Sequence, residues 1–281
     1  KGKSSDELLN EAEAKIFELS ENRSKIDSLK KIEEFVGTTL DKLEELSKKQ
    51  GELIGSSSGF KAIDGVTQGL QDEDLIVIAG RPSVGKTSLA MNIAENIAKN
   101  DDGCVAVFSL EMSSQSLTSR MLASMAGISQ SNVRTGNLTD RQWEKLIQQA
   151  KKLEEMNIFI DDTPNISPMD IRAKSRRLAK QYRKQGGVKL VVVDYIQLMQ
   201  MPGRTENRVN ELSEISRALK YLAKEINAPV IVLSQLNRAV EQRPNKRPQM
   251  SDLRDSGAIE QDADLIFMLY RDFAYNKNEE W

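Results

Sequence analysis

The sequence contains no histidine, one cysteine and few aromatic residues, 5% of 281. Without imidazole there is no His-dependent triad, no His-ligated zinc site and no imidazole general base. Chemistry must therefore run on carboxylates, Lys or Arg, hydroxyls, amides or a bound metal. Cys104 alone can form neither an intrachain disulfide nor a multi-Cys metal cluster, which points to a reducing compartment. By itself it reads as a small buried apolar residue. Long hydrophobic runs are lacking too. Stretches such as Leu190-Val191-Val192-Val193 fall far short of the ~18 residues a membrane span needs, and Lys1-Gly2-Lys3-Ser4 does not open a signal peptide. Nor is there an excess of one charge, with 40 Lys+Arg against 42 Asp+Glu and a formal net charge of −2. Nothing global draws this chain to nucleic acid, so any such binding must come from local clusters. Apolar residues make up 39%, and with glycine about 45%, the usual globular share. The length allows one large domain or two small ones.

Residues 6 to 20 carry Leu8, Ala12, Ile16 and Leu19 at helical spacing, an amphipathic helix with too small an apolar stripe to fold alone. It must dock on the main domain or on a neighbouring molecule. After a polar stretch from Glu21 to Lys31, the residues Ile32, Val36, Leu40, Leu43 and Leu46 predict a second helix that stops near Gly51. Gly55-Ser56-Ser57-Ser58-Gly59 reads as a flexible loop. From Asp74 the rhythm changes to short branched apolar runs alternating with helical patterns. Strands are expected at Leu75–Ala79, Val105–Leu110, Ile158–Asp161, Leu190–Asp194, Val230–Ser234 and Leu265–Tyr270. Helices are expected from Ser88, from Asp140, from Pro168 with Ser167 and Asp170 as a capping box, and over Val209 to Ile226. Continuous apolar strands alternating with helices indicate an α/β fold with a mostly parallel sheet flanked by helices on both faces. Ligands of such sheets sit beyond the carboxyl ends of the strands.

Immediately after the first strand comes Gly80-Arg81-Pro82-Ser83-Val84-Gly85-Lys86-Thr87, which satisfies G-x-x-x-x-G-K-[ST] at every defined position. Glycines let the backbone wrap around phosphates, main-chain N–H groups and the following helix start, from Ser88, supply positive charge, and Lys86 reaches the terminal phosphates. Thr87 would hold Mg²⁺ through its hydroxyl. Asp194, at the end of its strand, is the second metal-side carboxylate. The next residue is Tyr195, so the general base must come from elsewhere. Glu111, after Val105–Leu110, is placed to orient and deprotonate a water, with a solvated loop acid as the alternative. Gln235, closing a third strand, offers an amide to the γ-phosphate or its water, or simply leaves the sheet.

Taken together, these residues closely resemble the C-terminal motor domain of bacterial DnaB-family replicative DNA helicases, which have a RecA-like P-loop ATPase core. The matching stretches are Gly59–Asp64 with Gly69-Leu70-Gln71, Arg81–Thr87, Phe108–Ser113, Asp194–Met199, Leu233–Arg238 and Ser251–Asp264, spread over nearly all of residues 59 to 272. The resemblance implies a ring, usually a homo-hexamer, that hydrolyses ATP with Mg²⁺ at subunit boundaries and moves on single-stranded DNA while unwinding the duplex. It implies cytoplasmic bacterial or phage replication machinery, with primase and a helicase loader as partners and no membrane. By the same resemblance Lys86 and Thr87 bind phosphate and Mg²⁺, Asp194 supports the metal, Glu111 is the catalytic base, Gln235 couples hydrolysis to DNA, and Arg120 lies near the nucleotide. Residues 1–30 correspond to the linker helix and connector, and 31–281 to the ATPase domain. The absence of a preceding primase-interacting domain and of a trans arginine finger before Trp281 is expected for a fragment, one that hydrolyses ATP weakly.

DNA contact in this family comes from loops facing the channel. The stretch Arg238 to Arg254 holds Arg238, Arg243, Lys246, Arg247 and Arg254 against Glu241 and Asp252, and contains no aromatic residue. Phosphate-backbone contact without base stacking is the physical expectation. The resemblance assigns it to Arg238, Arg254, Asp255 and Gly257, although Asp255 stands where the family often has Glu. A merely solvated basic loop is the plainer alternative. The loop Met201–Arg208 is a second candidate, and the basic helix from Arg172 to Lys184 reads as a solvated face or a subunit contact. Two other functions stay open: a RecA-like recombinase forming filaments, and a nucleotide-gated assembly module in which ATP only joins subunits.

Overall fold

The computed structural model describes residues 29–48, 53–201 and 208–274, and the chain divides into two units, one ending at Glu52 and one beginning at Leu53. The helix expected over 6–20 lies outside the described residues. In the first unit, helix α1 (Glu33–Lys48) starts with Glu33 and Glu34 and ends with Lys48, each charge complementing its end of the helix dipole. Of the stripe read from the sequence, Val36, Leu40, Leu43 and Leu46 lie on this helix and Ile32 just before it; all five are exposed, as is Phe35.

The second unit opens with helix α2 (Lys61–Thr67) and is built on a six-stranded sheet, in the order β3-β2-β4-β5-β1-β6 with every pairing parallel. The strands are β1 (Leu75–Gly80), β2 (Cys104–Ser109), β3 (Ile158–Asp161), β4 (Val188–Asp194), β5 (Val230–Gln235) and β6 (Leu265–Met268). Branched side chains favour the pleated backbone, and because they alternate sides, every strand except the edge strand β3 feeds two cores. Leu75, Val77, Phe108, Val191, Val193, Val230 and Val232 face helix α7 (Pro168–Tyr182) through Ile171. They also face α8 (Arg208–Ile226) through Leu212, Ile215, Leu219 and Leu222. Ile76, Ile78, Val105, Val107, Leu190, Val192, Ile231 and Leu233 face α3 (Lys86–Asn100) through Ala90, Ile93, Ala94 and Ile97. They also face Leu117 and Met121 of α4 (Ser114–Ala126). Short α5 (Gln130–Thr135) and α6 (Asp140–Glu154) close a small satellite core of Ala126, Ile128 and Leu146, and α9 (Gly257–Asp262) precedes β6.

The capping box at α7 forms as expected. Ser167 Oγ accepts from the Asp170 N–H at 3.2 Å, and the Ser167 N–H donates to the Asp170 carboxylate at 3.0 Å. Thr139 and Gln142 repeat it at α6. Strand β2 stops at Ser109 rather than Leu110, whose N–H makes the last bond of the β2–β4 ladder, to the Asp194 carbonyl at 2.7 Å. Strand β6 stops at Met268 rather than Tyr270. Register matters more for the site than these ends. Ser109 pairs with Asp194 and Gly80 with Gln235, so β2 and β4 finish together, β5 and β1 finish together two residues further on, and all four ends lie along one edge of the sheet.

Candidate active site

Strand β1 is buried along its whole length and delivers the chain at Gly80 into a turn whose next element is α3. Ser83 has φ 65° and Gly85, the N-cap of α3, has φ 108°. Gly85 offers no side chain to the helix, so the first-turn N–H groups of α3 keep their capacity for an anion. A Cβ at Gly80 would sit 2.7 Å from Val84 Cγ2, so any larger residue here must push the Val84 side chain aside. Lys86 Nζ folds back over the loop and donates to the carbonyls of Gly80 at 3.0 Å and Arg81 at 3.2 Å. Burial lowers the Lys86 ammonium below its ordinary pKa, Arg81 pushes the same way, and Asp194 and Glu111 oppose.

Opposite the loop, the Thr87 hydroxyl donates to the Asp194 carboxylate at 2.7 Å. Asp194 is 3% exposed, and burial raises its carboxyl above the ordinary range, aided by Glu111 and opposed by Thr87, Lys86 and Arg120. The Asp194–Tyr195 peptide is cis. A hydroxyl and a buried carboxylate form a hard oxygen pair that suits Mg²⁺. Among the described residues no group of three or more His, Cys, Asp or Glu is arranged to hold a metal ion by itself. A cation here would need its other ligands from phosphate oxygens and water, the usual way Mg²⁺ is held beside a nucleotide. The residues present fit that group.

Both features open on a cavity of about 480 Å³ lined by Pro82, Ser83, Gly85, Lys86, Thr87, Ser88, Glu111, Arg120 and Gln235. The structure thus brings together the P-loop, the acid after β2, the amide closing β5 and the arginine on α4. Asp194 joins them through Thr87. Glu111 is exposed at the mouth, two residues past the end of β2, and the Arg120 Nε is buried with no hydrogen-bond partner among the described residues. Three members of the loop sit differently, Gly80 being outside the cavity lining as the last residue of β1. Val84 does not line the cavity, and the Arg81 side chain turns away from it, to the Leu236 carbonyl and to Glu241.

Several contributors were not assigned a role from sequence. The Gln197 amide donates to Ser234 Oγ at 2.9 Å and to the Gln235 carbonyl at 3.3 Å, while the Gln235 N–H donates back at 3.2 Å. This rung continues the β4–β5 pairing past Val193 and fixes Gln235. Arg271, Tyr195, Met112 and Gln130 also line the cavity. Arg271 follows β6, so inspecting every strand's carboxyl end would have found it. Gln130, at the start of α5, carries no such signal.

The basic segment is more folded than its composition suggests. Arg238 is exposed at the start of a 3₁₀ helix, Arg238–Gln242. Arg243 is paired with Asp252, donating also to the Arg247 carbonyl, and the Arg247 guanidinium lies 5.0 Å from the centre of the Tyr270 ring. Arg254 and Asp255 fall in a second 3₁₀ helix, Met250–Ser256, and Gly257 opens α9, but the side chains of 254–258 lie outside the described residues. Arg208 is held by Glu211 and by the carbonyls of Gln197 and Met199, whereas 202–207, including Arg204, are outside the described residues. On α7, Arg172 and Arg176 pair with Glu225 and Lys174 with Asp161. Among the described residues no helix is long and apolar enough to cross a membrane.

Comparison with known proteins agrees with this arrangement. Replicative DNA helicase DnaB of Geobacillus stearothermophilus is 50% identical over 276 residues, covering 98% of this chain and 60% of that protein. Replicative DNA helicase DnaC of Bacillus subtilis (strain 168) is 47% identical, with the same coverage. The chain therefore spans about 60% of the length of these curated relatives. Among solved structures, an isolated ATPase domain superposes with a TM-score of 0.82 at 37% identity, covering 90% of this chain and 88% of that one. A DnaB-like replicative helicase described with its interactions with primase gives 0.79 at 37%, covering 91% and 60%. The family profile of the DnaB-like helicase C terminal domain matches residues 55–281, the whole sheet and every cavity-lining residue included, and the chain belongs to that family.

Proposed function

We propose that this chain is the ATP-hydrolysing motor of a replicative DNA helicase, preceded by a linker and connector at 1–30 and working as a homo-hexameric ring on single-stranded DNA. The observation that carries this reading is the 2.7 Å contact between Thr87 and Asp194 beside a cavity that Lys86, Glu111 and Gln235 share. Phosphate oxygens are bound by the N–H groups opening α3 and by the Lys86 ammonium, which exchanges its carbonyl partners for them. Mg²⁺, when held by the Thr87 hydroxyl and the Asp194 carboxylate, neutralises charge on the triphosphate. Glu111 accepts a proton from water as the water oxygen bonds to the γ-phosphorus and the bond to the β-bridging oxygen breaks, leaving ADP and phosphate. Gln235, held by Gln197, reports the γ-phosphate to the segment that follows β5.

Membership of the helicase family favours a closed ring over a recombinase filament. Primase and a loader are proposed as protein partners and the cytoplasm as the compartment. The test is DNA unwinding by the full-length chain carrying Lys86→Ala. Unwinding should be abolished, and undiminished unwinding would overturn the motor reading.

A further inference from the structure

We propose that Arg81 is a positioning residue that ties the phosphate loop to the segment after β5, so that a movement of one is transmitted to the other. The inference rests on the motor reading above and adds a physical connection to it. Arg81 is the second residue of the loop, yet it is only 8% exposed and its side chain does not enter the phosphate cavity. Its Nη1 donates to the Leu236 carbonyl at 2.8 Å, and both Nε and Nη2 lie 2.7 Å from one carboxylate oxygen of Glu241. A planar fork spanning a carbonyl and a carboxylate fixes direction as well as distance, which a flexible ammonium does not.

The two ends of this strut are themselves held. On the nucleotide side, the Arg81 carbonyl accepts from Lys86 Nζ at 3.2 Å, so transfer of that ammonium to a phosphate releases the Arg81 main chain. On the other side, Leu236 and Val240 are buried at 2% and 0%, and Glu241 stands in the 3₁₀ helix that Val240 anchors. The Leu236 N–H also donates to the Gly80 carbonyl at 3.3 Å. A guanidinium this buried costs desolvation and lowers the Lys86 pKa, so packing alone would be served as well by an apolar side chain. What the apolar residue lacks is the directional link from residue 81 to residues 236 and 241.

Glu241 is the better handle, because its side chain is 46% exposed and its loss leaves Arg81 bonded to Leu236. In the full-length chain, ATP turnover is measured with and without single-stranded DNA for the wild type, Glu241→Ala and Glu241→Gln. Glu241→Ala should lower DNA-stimulated turnover about fivefold or more and keep basal turnover within about twofold. Glu241→Gln, which retains an acceptor, should recover most of the stimulation, and Arg81→Lys, which keeps the charge without the fork, should lose it. Stimulation equal to wild type in Glu241→Ala, or an equal fall of basal and stimulated rates, overturns the strut alone. A wild type whose turnover DNA does not stimulate overturns the motor reading itself.

Discussion

At the carboxyl edge of the sheet, charged groups face one another across an open cavity, whereas in the segment from Arg238 to Asp252 they are largely paired with the protein itself. Among the described residues the Lys86 ammonium hydrogen-bonds to carbonyls alone, with Asp194 and Glu111 acting on it through space, and Glu111 stands exposed at the mouth of the cavity. By contrast Arg243 is committed to the buried Asp252, Arg247 to the face of Tyr270, and Glu241 to Arg81. A charge held by weak dipoles can pass to a ligand at little cost. A charge already matched by a buried opposite charge must first lose that partner, and doing so strands the partner. The two regions therefore divide the labour: one keeps its electrostatic capacity for phosphate, and the other spends much of it on holding a loop in shape.

The largest expected break in this comparison is at Lys86. Lys86→Ala should lower ATP turnover by about a hundredfold or more in a steady-state assay, because nothing else in the loop supplies a mobile cation to the terminal phosphates. Arg254→Ala comes next, and it should reduce DNA-stimulated turnover much more than basal turnover. It should also lower the slope of log affinity against log salt by roughly 0.7 for single-stranded DNA. Equal loss of both rates would place Arg254 at the nucleotide. Arg243→Ala sharpens the contrast from the other side. It should leave that slope unchanged within error while raising proteolysis or hydrogen exchange across 238–253.

A pH titration tests the same pair more gently. Burial alone would push the Asp252 carboxyl up, but Arg243 and the Gln249 N–H more than offset it and hold it below the ordinary carboxylate range. A carboxyl with a depressed folded value contributes stability that is complete above the ordinary Asp pKa and lost as the pH falls through the folded one. Exchange protection of 238–253 should therefore persist down to about pH 4 and fall beneath it. The smallest expected effect is at Cys104, whose thiol is buried and pushed up to about 11. Maleimide should label it only as fast as the sheet opens, and rapid labelling of the native protein would contradict the closed core.

Much of this was legible from local pattern. The run Leu190–Asp194 announces a buried strand with an acid at its end, and the loop 80–87 announces itself because backbone wrapping needs glycine at fixed spacing. Ser167 and Asp170 mark the start of α7 for the same reason: cap and carboxylate are neighbours in sequence. What escaped is non-local or compositionally weak. Helix α4, rich in Ser and Thr that favour caps over helix interiors, forms because Leu117 and Met121 pack against the sheet. The direction of the Arg81 side chain is set by partners 155 and 160 residues away, which no motif encodes. The rung that Gln197 makes with Gln235 depends in the same way on two strands brought side by side.

The most direct test is a structure of the full-length chain with a non-hydrolysable ATP analogue and Mg²⁺. The triphosphate should lie in the turn 80–87, with Thr87 and Asp194 on the metal side and the Glu111 carboxylate toward the γ-phosphate. A nucleotide bound elsewhere, or one from which Asp194 and Glu111 both point away, would contradict the account.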